Sequence, residues 1–103
     1  MGRIEQLTEL LNDNPHDSFL QHAMALEYIK LGNDKAARQL FETLLHREPG
    51  YTGSYFHLAK LLERMGEREA AISCYLKGMD ETKKAGDHHA WSELKSAYEE
   101  LIY

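Results

Sequence analysis

Apolar residues recur along most of the chain at spacings of three and four, the period of an amphipathic helix, and no alternation of period two survives for more than a few residues. Ile4, Leu7, Leu10 and Leu11 form one such stripe and predict a helix from about Arg3 to Asn12. Asn14-Pro15 ends it, because the proline ring disfavours a helical residue before it. A second helix is expected from about Ser18 to Leu31. Ser18 and Gln21 have the spacing of a capping box, and Gly32 supplies the left-handed residue at the far end. A third begins after Asp34 as N-cap, carries Ala37, Leu40, Phe41, Leu44 and Leu45, and stops at Pro49-Gly50. The fourth starts after Thr52, shows Tyr55, Leu58, Ala59, Leu61, Leu62 and Met65, and is closed by Gly66. The fifth runs from about Glu69 towards Lys84 in spite of Gly78, which lowers helix propensity by about 1 kcal/mol relative to alanine. Gly86-Asp87 is a stop and a cap, and a sixth helix follows with Trp91, Leu94, Ala97, Tyr98, Leu101 and Ile102.

A longer period lies over these stripes. Gly32, Ala36, Ala37 and Phe41 recur as Gly66, Ala70, Ala71 and Tyr75, each displaced by 34 residues, and Ala25 pairs with Ala59 at the same offset. A repeat of this length describes a helical pair that cannot cover its own apolar face and stacks on a neighbour instead. The short turns make neighbouring helices antiparallel. Ala25, Ala37, Ala59 and Ala71 fall where backbones should cross closely, with Leu31, Phe41, Leu58 and Tyr75 filling the gaps beside them.

This register resembles the tetratricopeptide repeat (TPR) family. Residues 18–51 read Gln21, Met24, Ala25, Tyr28, Gly32, Ala37, Phe41, Leu44 and Pro49 at the family's marked positions. Residues 52–85 read Tyr55, Leu58, Ala59, Leu62, Gly66, Ala71, Tyr75, Gly78 and Lys83. The chain departs from the pattern at Gln21, where an aromatic is usual, and at Lys83, where a proline is usual, so the fifth helix is expected to run on by a turn. The resemblance implies an all-α, right-handed α-solenoid of antiparallel helix pairs, about six helices in one domain spanning 1–103. It comprises an N-terminal helix (3–14), two full TPR units (18–51 and 52–85) and a C-terminal capping helix (87–102), the flanking helices standing as half-repeats.

Composition narrows the function classes. Hydrophobic residues are 43% and charged residues 28% of 103, the balance of a folded globular chain, and the net charge of −5 argues against a nucleic-acid partner. The lone Cys74 excludes an internal disulfide and any cysteine-based zinc site. No signal core and no membrane-length apolar run is present, so a cytoplasmic protein with no membrane partner is expected. His88 and His89 are adjacent and diverge by about 100° on a helix, which makes them poor co-ligands. His22 and His57 lack a third ligand, and Cys74 lacks an activating neighbour apart from Lys77. No phosphate-binding glycine loop or nucleophile elbow occurs. The expectation is therefore no enzyme, no catalytic residue, no metal and no cofactor. Trp91 is expected to plug the core.

In the family it resembles, the first helix of each pair lines a concave groove. The residues so placed here are Phe19, His22, Leu26, Ile29 and Lys30 from one unit and Phe56, His57, Lys60, Glu63 and Arg64 from the next, with Glu93 among those of the last helix. Some members clamp a terminal carboxylate with Lys, Asn and Arg; His22, Leu26 and His57 stand at those positions and do not fit that role. Lys30, Lys60 and Arg64 would favour an acidic residue on a partner. The expected function is binding of a protein, through a peptide segment or a partner helix, in this groove. The alternative is a self-associating scaffold, a homodimer built through its end helices or the groove.

Overall fold

The computed structural model describes residues 2–103. It is an all-α helical-repeat fold of six helices, with no strand among the described residues: α1 (Arg3–Asp13), α2 (Ser18–Lys30), α3 (Asp34–Arg47), α4 (Gly53–Arg64), α5 (Arg68–Ala85) and α6 (His88–Ile102). The helices gather into two compact units, one up to Glu48 and one from Pro49. No helix among the described residues is long and apolar enough to cross a membrane.

In the first unit α2 packs against both α1 and α3. Leu7, Leu20 and Met24 form a buried cluster flanked by Ile4, Leu11 and Leu40. The turn from α2 to α3 is made by Gly32 at φ 76°, with the Asn33 N–H donating to the Tyr28 carbonyl at 2.8 Å and the Gly32 N–H to Ile29 at 3.0 Å. This paired closure satisfies carbonyls that the helix end would otherwise leave open, and only glycine takes the left-handed conformation without strain. Gly66 repeats it between α4 and α5, where the Glu67 N–H reaches the Leu62 carbonyl at 2.9 Å.

Two expected caps are displaced by one residue. Asp17, not Ser18, caps α2, its carboxylate accepting from the Leu20 N–H at 3.0 Å. Asn33, not Asp34, caps α3 by accepting from the Ala36 N–H at 3.3 Å. Each true cap is itself a good one, and its neighbour becomes the first helical residue. Asp87 caps α6 as expected, through the Ala90 N–H at 3.1 Å.

Ala25, Ala37, Ala59 and Ala71 are all completely buried. Leu31, expected to fill a gap beside them, is 68% exposed because it sits at the end of α2 and turns into solvent. Trp91 is only half-buried; Leu94 and Ala97 are the buried residues of α6, and Lys95 Nζ lies 5.3 Å from the Trp91 ring centroid.

In the second unit α5 packs against α4 and α6 and runs to Ala85, 18 residues against the 14 of α3, as the missing proline at Lys83 leads one to expect. Gly78 is buried in the middle of it. A Cβ there would lie 2.7 Å from Tyr55 Cβ and 3.0 Å from Leu94 Cδ1, so the glycine permits a close approach of α5 to its neighbours. Tyr55 cannot retreat, because its hydroxyl donates to the Pro49 carbonyl at 2.6 Å.

Gly78→Ala should therefore lower the thermal midpoint. Overpacking costs typically about 1–3 kcal/mol, which outweighs the ~1 kcal/mol gained in helix propensity. Gly50→Ala, where an added Cβ would meet nothing within 4 Å, should leave the midpoint unchanged. Parallel calorimetric melts decide it, and a more stable Gly78→Ala protein would contradict the packing described.

Candidate functional site

The start of α2 is bolted to the end of α3 by a polar clasp. Arg47 Nη2 donates to Gln21 Oε1 at 2.8 Å and to Ser18 Oγ at 3.2 Å, and Ser18 Oγ donates to Glu48 Oε1 at 3.2 Å. Gln21 Nε2 donates back to the Pro15 carbonyl at 3.0 Å. Charge-assisted bonds in a partly buried setting hold direction well. The glutamine at the family's usual aromatic position thus acts as a connector.

The clasp fixes the orientation of the α2 stripe made by Phe19, His22, Leu26 and Ile29. Phe19 is 65% exposed, while Leu26 and Ile29 are half-buried. The His22 ring meets the edge of Phe41 at 5.6 Å between centroids. Lys30 at the end of the helix is exposed, and its Nζ lies 3.3 Å from Glu27.

In the second unit Phe56, His57, Lys60 and Glu63 occupy neighbouring positions on α4, with exposed Arg64 at the helix end. Lys60 Nζ stands 5.8 Å from the centre of the Phe56 ring and 3.8 Å from Glu63. Phe56 and His57 meet edge to face at 6.1 Å. Both line a cavity of about 250 Å³ closed on its other side by Ala90, Glu93 and Leu94 of α6. Thr52, Gly53 and Ala90 of this lining escape a reading of the sequence, because it takes the contact between α4 and α6 to bring them in. Burial holds the His57 imidazole below its usual range, with Glu93 opposing the shift, so the ring is neutral at pH 7.

Glu63 accepts a hydrogen bond from the Tyr75 hydroxyl. The sequence carries a signal for this pair. At the 34-residue offset the same two positions hold Ile29 and Phe41, so an apolar pair in one repeat becomes a hydroxyl–carboxylate pair in the next. Lys30 and Lys60 each have a carboxylate one turn away on their own helix. Such exposed pairs contribute about 0–1 kcal/mol and leave the ammonium groups available to a partner. Among the described residues no group of three or more His, Cys, Asp or Glu side chains could hold a metal. His89 instead lies 3.3 Å from Glu93, and the Cys74 thiol donates to the Tyr55 carbonyl at 3.5 Å.

Residues 52–84 match the family model described as the tetratricopeptide repeat. The chain is similar to a tetratricopeptide repeat domain protein from Salinibacter ruber whose solution structure is known, at 36% identity and a TM-score of 0.82, over 85% of this chain and 89% of that one. A crystal structure of a tetratricopeptide repeat domain protein from the same organism matches at 36% identity and a TM-score of 0.79, over 82% and 94%. A protein from Bordetella parapertussis shares the fold at 22% identity, with a TM-score of 0.84 over 98% of this chain and 88% of that one. No curated protein matches the chain.

The buried titrating groups set a pH window for stability. Burial, then the nearby Glu81 and Cys74, push the Tyr55 phenol up to about 12. Burial and the bond to Glu63 push Tyr75 upward as well. Because both folded values exceed the unfolded value of about 10, their contribution is complete below pH 10 and falls as pH rises, through about 12 for Tyr55 and further up for Tyr75. His57 is shifted the other way. Its contribution is complete above the unfolded value of about 6.5 and is lost as pH falls through its lower folded value. Melting temperatures should be level from pH 7 to 9, decline above pH 10, and decline below pH 6.5 less steeply in His57→Asn. A midpoint unchanged from pH 9 to pH 12 would contradict the tyrosine assignments.

Proposed function

Because the chain belongs to the tetratricopeptide repeat family, we propose that it is a protein-interaction module whose helices α2 and α4 present the contact residues to a peptide segment or a partner helix. Tetratricopeptide repeat folds generally mediate protein–protein interaction, and the family is generally non-enzymatic. The observation that carries the reading is Phe19. An aromatic ring stands two-thirds in solvent on a helix whose opposite side is buried against α1 and α3. Large exposed aromatics beside charged groups are the usual anchors of protein interfaces. Leu26 and Ile29 continue the apolar line on α2. On α4, Phe56 and the neutral His57 give a second apolar contact with Lys60 and Arg64 at its margin.

The ammonium of Lys60 and the guanidinium of Arg64 favour an acidic residue on the partner. Glu63 stands beside Lys60 and is engaged by Tyr75, which keeps its carboxylate directed back into the unit. A second reading, self-association into a homodimer, draws on the other exposed apolar side chains. Leu10 is 47% and Leu76 46% exposed, and both lie on helices other than α2 and α4.

A photoreactive residue placed at position 19 or 56 should cross-link a partner in the source lysate, and one placed at exposed Ser73 on α5 should not. Phe19→Ala and Lys60→Glu should each weaken the captured complex about tenfold or more, the second more strongly at low salt. Equal cross-linking from Ser73 would contradict the assignment of the face. Light scattering separates the second reading, since mass that rises with concentration and falls in Leu10→Ser or Leu76→Ser would favour the homodimer.

A further inference from the structure

A larger opening lies in the first unit, on the side of α2 away from Phe19. It has a volume of about 520 Å³, within the range of functional ligand sites. Its floor is Met24 and Tyr28 of α2. On a helix of 3.6 residues per turn these two point roughly opposite to the stripe of His22, Leu26 and Ile29. One wall is α1, through Thr8, Leu11 and Asn12; the other is α3, through Ala36, Gln39 and Thr43. Both helices pack on α2 and leave the space above it open.

We infer that this groove is a second binding site, which takes an extended, uncharged peptide segment with aliphatic side chains two residues apart. The first ground is charge. None of the lining residues is charged, in a chain of which 28% is charged. A charged occupant would find no counter-ion among the residues that line it; the nearby Arg47 guanidinium is already engaged by Gln21 and Ser18. The second is spacing. Met24 and Tyr28 are four residues apart on α2, about 6 Å along its axis at 1.5 Å per residue. Alternate side chains of an extended strand repeat at about 6.8 Å, so residues i and i+2 of a segment lying along α2 reach the two in turn. The third is hydrogen bonding. The amides of Asn12 on one wall and Gln39 on the other make no hydrogen bond to any described residue, and neither does the Thr43 hydroxyl. A primary amide carries a donor and an acceptor side by side, the pair that a peptide group requires. With Asn12 and Gln39 on opposite walls, the two amides bond a backbone laid between them, while Met24 and Tyr28 receive its side chains.

The 103-residue chain, labelled with nitrogen-15, is titrated with acetyl-Leu-Ser-Leu-amide as the probe. Amide shifts should saturate and be confined to residues 8–12, 24–28 and 36–43. Acetyl-Lys-Ser-Lys-amide should bind at least tenfold more weakly. Gln39→Lys and Thr43→Arg alter exposed positions, so their spectra should remain those of the folded protein while affinity for the leucine probe falls at least tenfold. Phe19→Ala should bind the probe unchanged, which separates this site from the α2 stripe. Shifts centred on α4 or α6, equal affinity for the lysine probe, or no saturable shift at all would overturn the proposal. The same shifts appearing on concentration of the chain alone would assign the groove to a second copy instead, and would equally overturn it.

Discussion

The structure depends on backbones that come closer than ordinary side chains allow. Ala25, Ala37, Ala59 and Ala71 are each sealed from solvent, and at Gly78 even a methyl group would collide with Tyr55. Packing this tight is unforgiving, because dispersion contacts fall away steeply with small gaps and overlaps strain both partners. It also gives the helices a definite rotation. Once the small residues are turned inward, the rest of each helix surface has its direction assigned, Phe19 and Phe56 included. The left-handed turns at Gly32 and Gly66 serve the same end, since a three-residue connection leaves consecutive helices no freedom to separate.

Polar groups then reinforce what the close packing sets. The clasp of Arg47 with Gln21 and Ser18 joins the start of one helix to the end of the next, and the Tyr55 hydroxyl on the Pro49 carbonyl does comparable work at the start of α4. These bonds are partly buried and satisfied, so removing one partner leaves the other stranded at a cost well above the bond's net contribution. They are the reason a repeat with few large core residues in each helix can keep an exposed aromatic in a fixed place.

Much of this was legible in the chain itself. Six helices, their order and the glycine stops follow from apolar spacing and from residues whose backbone preferences are strong. The four buried alanines follow from the 34-residue offset. The caps of α2 and α3 lie one residue before those the sequence suggests, because Asp17-Ser18 and Asn33-Asp34 each place two competent caps side by side, and tertiary packing decides between them. Trp91 departs from expectation for a different reason. Its size suggests burial, but the rotation of α6 is set by Leu94 and Ala97, which turn the indole to the margin. In the sequence Gly78 shows only as a weak helix residue, since a close approach is a property of two helices and leaves no mark on one. The proposed contact residues of α2 and α4 follow from family register. Their local partners, such as Glu27 beside Lys30 and Tyr75 on Glu63, needed coordinates, although the exchange of Ile29 and Phe41 for Glu63 and Tyr75 was there to be noticed.

Hydrogen exchange of the backbone amides, residue by residue on the full chain under native conditions, tests the dependence on close crossings most directly. The amides of Ala25, Ala37, Ala59, Ala71 and Gly78 should exchange more slowly than those of the exposed faces of the same helices, and open only with their whole unit. Exchange at these positions as rapid as at Leu10 or Leu76 would show that the crossings are loose, and the fixed presentation of α2 and α4 would lose its foundation.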